Sequence, residues 1–457
     1  MRYLFLLISF SLFGQDFPQE VSTNGFDYGA FNPPTYLPSP LEEIVTSNST
    51  ILKRLAPSDV ERYTIRYAKH PVWNADSNTL IILTSNGTTF YNIETDVSTI
   101  RDLGFKGYWS RTDADLLYGY TNSNRIFWQH NFQTNTTSAV YDFTNTHSKI
   151  EMGLNEGNID KNDRFVALNC IKLGGGEELI ILDIETQSIH SQMDITTSGL
   201  DWVSISQNGD HIVFLYNQSG SGSSQGVEVY DNTQGTPSNP RHIYNFTEHS
   251  DLAVDSNGED VLFMIKDGSE LGDDGNTYMV MIRLSDGFIK YKNVGSAIYG
   301  CHISARGREG WVTISETCCA VGSSNRPAND VYKLKLDYSD DSLMEYWFRA
   351  YNNRTFDGSE SDAFAVPSQD GTKVAFRSYW YSDVLKEQHP NYAPLWLASY
   401  PQQTLSIPTV EQVEIPLSYE YYNLLGQYLG TNKPKAQGVY IEKSFYENKI
   451  LSKLIIP

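Results

Sequence analysis

Short apolar runs recur between about residue 61 and residue 405, and each follows a polar turn. The clearest instance is Asp201–Tyr216: an apolar strand, an Asn208-Gly209 turn and a second apolar strand, Ile212–Leu215. An Asn-Gly pair between such strands is a hairpin signal. The phrase returns in altered form about every 37 to 63 residues, as Asp255-Ser-Asn-Gly258 before Val261–Phe263 and as Ser368-Gln-Asp-Gly371 before Val374–Phe376. Further turns fall at Trp73–Asp76, Trp109–Asp113, Ile159–Asp163 and Ser304–Gly307. The strands after them are Leu80–Leu83, Leu116–Tyr118, Phe165–Leu168 and Trp311–Ile314. Near-continuous apolar strands suit sheets buried on both faces. An all-strand repeat of this length suits propeller blades. The pattern predicts an all-β, seven-bladed β-propeller with a short C-terminal β appendage. The second and last units are the least regular, which leaves six and eight as neighbouring counts.

The flanks differ. Residues 1–15 pair one Arg with a short apolar run and read as a secretory signal peptide, too short to span a bilayer. Residues 16–60 read as an irregular arm, because Asn32–Pro40 carries prolines that no helix interior or central strand accepts. Residues 61–405 form the predicted propeller and 406–457 a tail. Two insertions stand out: Ser219–Gly226, flexible by composition, and 378–394, whose Tyr and Trp beside His389 suit a lid or rim.

Composition adds constraints. The chain has 457 residues, a net charge of −21 and 13% aromatic residues. That charge disfavours nucleic acid as a partner, since phosphates need Lys and Arg, and foremost serves solubility. An anionic polysaccharide remains compatible through a local basic pocket. No long apolar run supports stable membrane insertion. Four cysteines are few for an exported chain of this size, so a packed core must hold the fold.

Ligand sites in propellers lie where the innermost strands begin, around the central channel. The repeat register puts His70, Lys106, Glu156, Trp202, His249, Asp251, Cys301, His302, Asp362 and Phe364 there. Arg66-Tyr-Ala-Lys-His70 sets cationic groups beside a phenol and an imidazole. Arg66 or Lys69 can neutralise a uronate carboxylate, while Tyr67 or His302 exchanges a proton. With His70, these are the candidate catalytic residues for β-elimination. The bland alternative is a packed strand start. Trp202, Lys106 and Glu156 are candidate substrate-binding residues. His249, Cys301 and His302 offer zinc-type ligands. A disulfide from Cys301 to Cys318 or Cys319 and inert thiols compete with that reading, while Cys170 reads as a core thiol. Asp273–Asn276 is a candidate calcium loop. A divalent metal, zinc or calcium, is therefore the one cofactor expectation.

The phrases "WNAD", "SQNGDHIVF" and "PSQDGTKVAF" resemble those of TolB-type propellers, a group whose architecture oligogalacturonate lyases and propeller-type ulvan lyases share. The resemblance covers about residues 61 to 400 and implies a secreted polysaccharide lyase acting on a ulvan-like or pectin-like polymer, in several members with a bound metal. Such sequences carry a His before "PSQDG", where this chain has Phe364. The "NLLGQ" and "GVYI" blocks at 423–427 and 438–441 resemble the C-terminal sorting tail of the type IX secretion system of Bacteroidota. That likeness implies the secretion machinery as a partner, although the tail is shorter than a complete sorting domain. Alternatively, its strands complete the propeller. The competing function is a non-catalytic secreted or surface propeller that binds glycan or protein with an aromatic rim around Trp202, Trp380 and Trp396.

Overall fold

The computed structural model describes residues 37–46, 49–55, 63–84, 87–121, 125–267, 277–295, 300–316, 330–337, 344–350, 362–380, 382–388 and 393–400, together with strands between 418 and 455. The expected signal peptide, the Asp273–Asn276 loop, Cys318, Cys319 and His389 lie outside the described residues.

Seven antiparallel sheets make seven blades. Their innermost strands are Tyr63–Thr64, Lys106–Trp109, His147–Met152, Leu200–Ile205, Ser250–Val254, Gly300–Ser304 and Val366–Pro367. Blades 1 to 6 each have four strands taken in chain order. Alternation along the central strands explains why they are apolar on both faces. In blade 5, Val261, Phe263 and Ile265 pack towards blade 6. The intervening Leu262 and Met264 pack towards blade 4. The core is accordingly a ring of seven clusters, each between two neighbouring blades. A strand with a two-residue side-chain period can fill two such clusters only if both of its faces are apolar.

Ring closure differs from the sequence expectation. The arm is not irregular throughout. Glu43–Val45 and Ile51–Arg54 form strands, and Ile51–Arg54 pairs with Leu395–Ser399, the third strand of blade 7. The N-terminal segment thus supplies the outer part of the last blade and joins the two ends of the ring non-covalently. Trp73 of blade 1 adds an indole hydrogen bond to the Val366 carbonyl of blade 7, at 3.0 Å. A short helix, Asp383–Gln388, follows the second strand of blade 7.

Neighbouring blades are also tied by polar turns. Ser110 Oγ donates to Asp163 Oδ2 and Ser206 Oγ to Asp260 Oδ2, both at 2.6 Å. The turn serines of blades 2 and 4 therefore have a packing role, each tied to an aspartate of the next blade.

Residues 401–457 make a second unit. Its described strands form one antiparallel sheet in the order Tyr428–Gly430, Ser418–Tyr422, Tyr440–Phe445, Ile450–Ile455. They do not complete blade 7, whose outer strands come from the N-terminal arm. Among the described residues, no helix is long and apolar enough to cross a membrane.

Candidate functional site

The inner strands begin at one end of the channel and form a funnel there. Its blade 1 wall is the segment after Tyr63–Thr64. Arg66 is half-buried: its guanidinium lies 4.9 Å from the centre of the Tyr108 ring, and Nη1 donates to the Gly107 carbonyl at 2.7 Å. Lys106 is exposed and donates to Asn155 Oδ1 at 2.6 Å. Desolvation and then the charge of Arg66 lower the Lys106 pKa. Two cations held this close make a local positive field on an acidic protein, which suits an anionic ligand.

The opposite wall comes from blades 5 to 7. His302 is 5% exposed, and its Nε2 donates to Asp362 Oδ2 at 3.0 Å. Around it sit Phe364, Tyr67 and His249, with ring centroids 4.3, 5.4 and 5.1 Å away and near-perpendicular planes. Tyr67 also meets Phe364 edge-on, at 5.2 Å. Phe364 adopts φ 43°, a left-handed conformation uncommon for an aromatic residue, and Arg377 caps its other face at 3.8 Å. His302 is thus a buried support on which the half-buried Tyr67 and the exposed His249 rest. His249 is exposed, as a side chain lining the mouth of the channel is. Desolvation and then the Lys69 charge lower its pKa, so the ring is neutral at pH 7 and can accept a proton.

A strained loop of blade 3 packs against the blade 1 and blade 2 side of the site. Gly153, Leu154 and Asn155 have φ of 42°, 58° and 73°, three consecutive left-handed residues. At Gly153 a Cβ would lie 1.8 Å from the Val203 carbonyl oxygen, so no other residue fits. Such strain persists where surrounding contacts hold it, and here they are explicit. The Asn155 carbonyl accepts from His70 Nε2 at 2.7 Å. The Asn155 side chain accepts from Lys106 and from Tyr120 and donates to Glu151. Glu156 accepts from Lys69 Nζ at 2.6 Å.

Several expected site residues therefore have other duties. Lys69 is buried, paired with Glu156, and covers the Trp202 ring at 4.4 Å. His70 is buried beneath the loop. Trp202 is 2% exposed, which excludes it as a platform for stacking sugar. Trp380 and Trp396 are buried too and stack on each other at 4.4 Å, so the proposed aromatic rim belongs to the core of blade 7. Segment 378–380 is buried with them rather than forming a lid. Asp251 is buried towards the other end of the channel. Glu156 and Asp201 remain within reach of solvent, and burial followed by the Glu156 charge raises the Asp201 pKa.

The zinc-type set does not fit as predicted. His249 and His302 do converge, but His302 Nε2 is engaged by Asp362 and Phe364 fills the adjoining space. The side chain of Cys301 lies outside the described residues. Among the described residues, no three His, Cys, Asp or Glu side chains are placed to hold a metal. Cys170 is a buried free thiol whose pKa is raised by burial.

Burial, with the neighbouring Arg66 second, lowers the His70 pKa to about 3. The unfolded chain binds this proton near pH 6.5 and the folded chain does not, so stability falls as pH drops from 6.5 towards 3. His70→Gln should lose roughly 2 kcal/mol less than the parent between pH 7 and pH 5, at about 1.4 kcal/mol per unit below 6.5. Urea unfolding at both pH values measures it, and equal losses would show that His70 is not the acid-sensitive group.

Among solved structures, the fold matches an oligogalacturonate lyase from Vibrio parahaemolyticus with a TM-score of 0.56 at 14% identity, covering 79% of this chain and 97% of that one. The C-terminal WD40 domain of Sif2 aligns at 10% identity over 77% of this chain and 85% of that one, with a TM-score of 0.39. TolB from Acinetobacter baumannii aligns at 14% identity over 60% and 62%, with a TM-score of 0.32. The first likeness establishes the class, a seven-bladed β-propeller. No family model and no curated protein matches the chain.

Proposed function

We propose that the protein is a secreted polysaccharide lyase that cleaves a uronate-containing polymer, pectin-like or ulvan-like, by β-elimination. The observation that carries this reading is the convergence of Tyr67 and His249 on one buried ring, His302, with Arg66 adjoining Tyr67 in sequence. Arg66, with Lys106 beside it, pairs with the uronate carboxylate and makes the C5 proton more acidic. Neutral His249 takes that proton. The C5–H electrons form the C4=C5 bond, the C4–O4 bond breaks, and the Tyr67 hydroxyl protonates the leaving oxygen. His302, held by Asp362, positions the two reacting side chains. No step requires a metal. The likeness to an oligogalacturonate lyase is compatible with this assignment at the level of fold. Export through the N-terminal leader, with the tail engaging the type IX machinery, belongs to the same reading.

The experiment is to follow absorbance near 235 nm, where unsaturated uronates absorb, with the mature protein and a panel that includes pectate and ulvan. A steady rise on one polymer is expected. A flat trace across the panel, with and without added divalent metal, rejects the lyase.

A further inference from the structure

The far end of the channel is closed by side chains from the turns that follow the inner strands. Gln207 of blade 4 donates to the carbonyls of Leu252 and Ala305, at 2.5 and 3.0 Å. Gln369 of blade 7 donates to the Ser110 carbonyl at 3.4 Å. Arg306 of blade 6 is 3% exposed, and its Nη2 donates to Asp251 Oδ1 and to the Leu252 carbonyl, both at 2.9 Å. Arg111 of blade 2 crosses the axis, its Nη2 directed at the Gly307 carbonyl at 3.3 Å. Two guanidinium groups from opposite sides of the ring thus meet beside residues 306–307.

Each of them keeps an unanswered donor. Arg111 Nη1 and Arg306 Nε are sealed from solvent and have no hydrogen-bond partner among the described residues. The nearby carboxylates are already in use. Asp251 accepts from Arg306 and from the backbone N–H groups of Leu252 and Ala305. Asp163 accepts from Ser110, from Thr112 and from the Arg111 backbone. Burial, and after it repulsion from Arg306, lowers the Arg111 pKa to about 10, which still leaves it charged at neutral pH. Buried guanidinium N–H groups left without acceptors are costly. A water would satisfy one donor without relieving the repulsion between the two cations. An anion does both. Asp163, Glu309 and Asp251 offset part of the positive charge, which favours a monovalent ion over phosphate or sulfate.

We propose that Arg111 and Arg306 together bind a halide-sized monovalent anion, chloride in ordinary media, on the axis at the closed end of the propeller. Such an ion ties blade 2 to blade 6 across the channel and fixes the floor beneath the funnel. The site is independent of the lyase assignment.

Thermal unfolding of the full chain tests it, with sodium methanesulfonate exchanged for sodium chloride or bromide at constant ionic strength. Chloride and bromide should raise Tm saturably by about 2–4 °C, and Arg111→Gln should remove the rise. Bromide-soaked crystals of the unaltered protein should show an anomalous peak between the two guanidinium groups, a readout that does not depend on the variant folding. Superimposable curves in chloride and methanesulfonate, a rise that survives Arg111→Gln, or an axis without bromide would each overturn the proposal.

Discussion

His249→Ala should slow cleavage of the responsive polyuronate by about 10²- to 10⁴-fold, the range expected when a general base is removed. KM should change little, because carboxylate recognition rests on Arg66 and Lys106. Folding should be nearly unaffected, since His249 is exposed at the funnel and no hydrogen bond of the described residues depends on its side chain. The pH profile adds an independent check. Desolvation and Lys69 hold the His249 pKa below its ordinary value, so the ascending limb of kcat/KM should have its midpoint below pH 6.5 and disappear in the variant. Lyase activity within a factor of about three of the parent would place the base elsewhere while leaving the lyase intact.

The architecture was legible because the blade repeat has two audible parts, an Asx-Gly or Ser-rich turn and an apolar strand. Both survive at SQNG (206–209) and SQDG (368–371). Register then placed Lys106, His249 and His302 at or near the start of inner strands, where the structure has them, whereas Arg66 and Tyr67 follow the inner strand Tyr63–Thr64. What register does not carry is depth. His70, Lys69 and Trp202 sit at the same end of the channel but beneath its surface, because the Gly153–Asn155 loop folds over them. A signal for that loop was present: Gly-Leu-Asn-Glu-Gly (153–157) holds residue types that tolerate positive φ. Asn155 was nevertheless missed, since its contacts to His70, Lys106 and Tyr120 are all long-range. Blade 7 hid for another reason. Its outer strands, Glu43–Val45 and Ile51–Arg54, are short and follow a proline-rich run, and the strand that ties them to the blade, Leu395–Ser399, lies more than three hundred residues away. Trp380 and Trp396 are apolar anchors of that blade, and aromatic content alone does not distinguish an anchor from a binding rim.

Arg306→Ala should destabilise the propeller by about 3–5 kcal/mol, read from the midpoint of urea unfolding at fixed chloride. The reason lies in its partner more than in the arginine. Asp251 is 2% exposed and loses its only ion pair among the described residues, at 2.9 Å, so a carboxylate stays buried against the channel floor with backbone donors alone. Arg306 also donates to the Leu252 carbonyl, which keeps only its hydrogen bond from Gln207 once the guanidinium is gone. Asp251→Asn added to Arg306→Ala should recover part of the loss, because the amide carries no charge and its one oxygen still accepts from one of the two backbone N–H groups, of Leu252 or Ala305. A double-mutant cycle then isolates the coupling between the two side chains. Additive losses would mean that the pair is held in place by the turns around it and contributes little of its own. A strong coupling would make the floor of the channel, and with it the spacing of all seven inner strands, depend on one buried ion pair between blades 5 and 6.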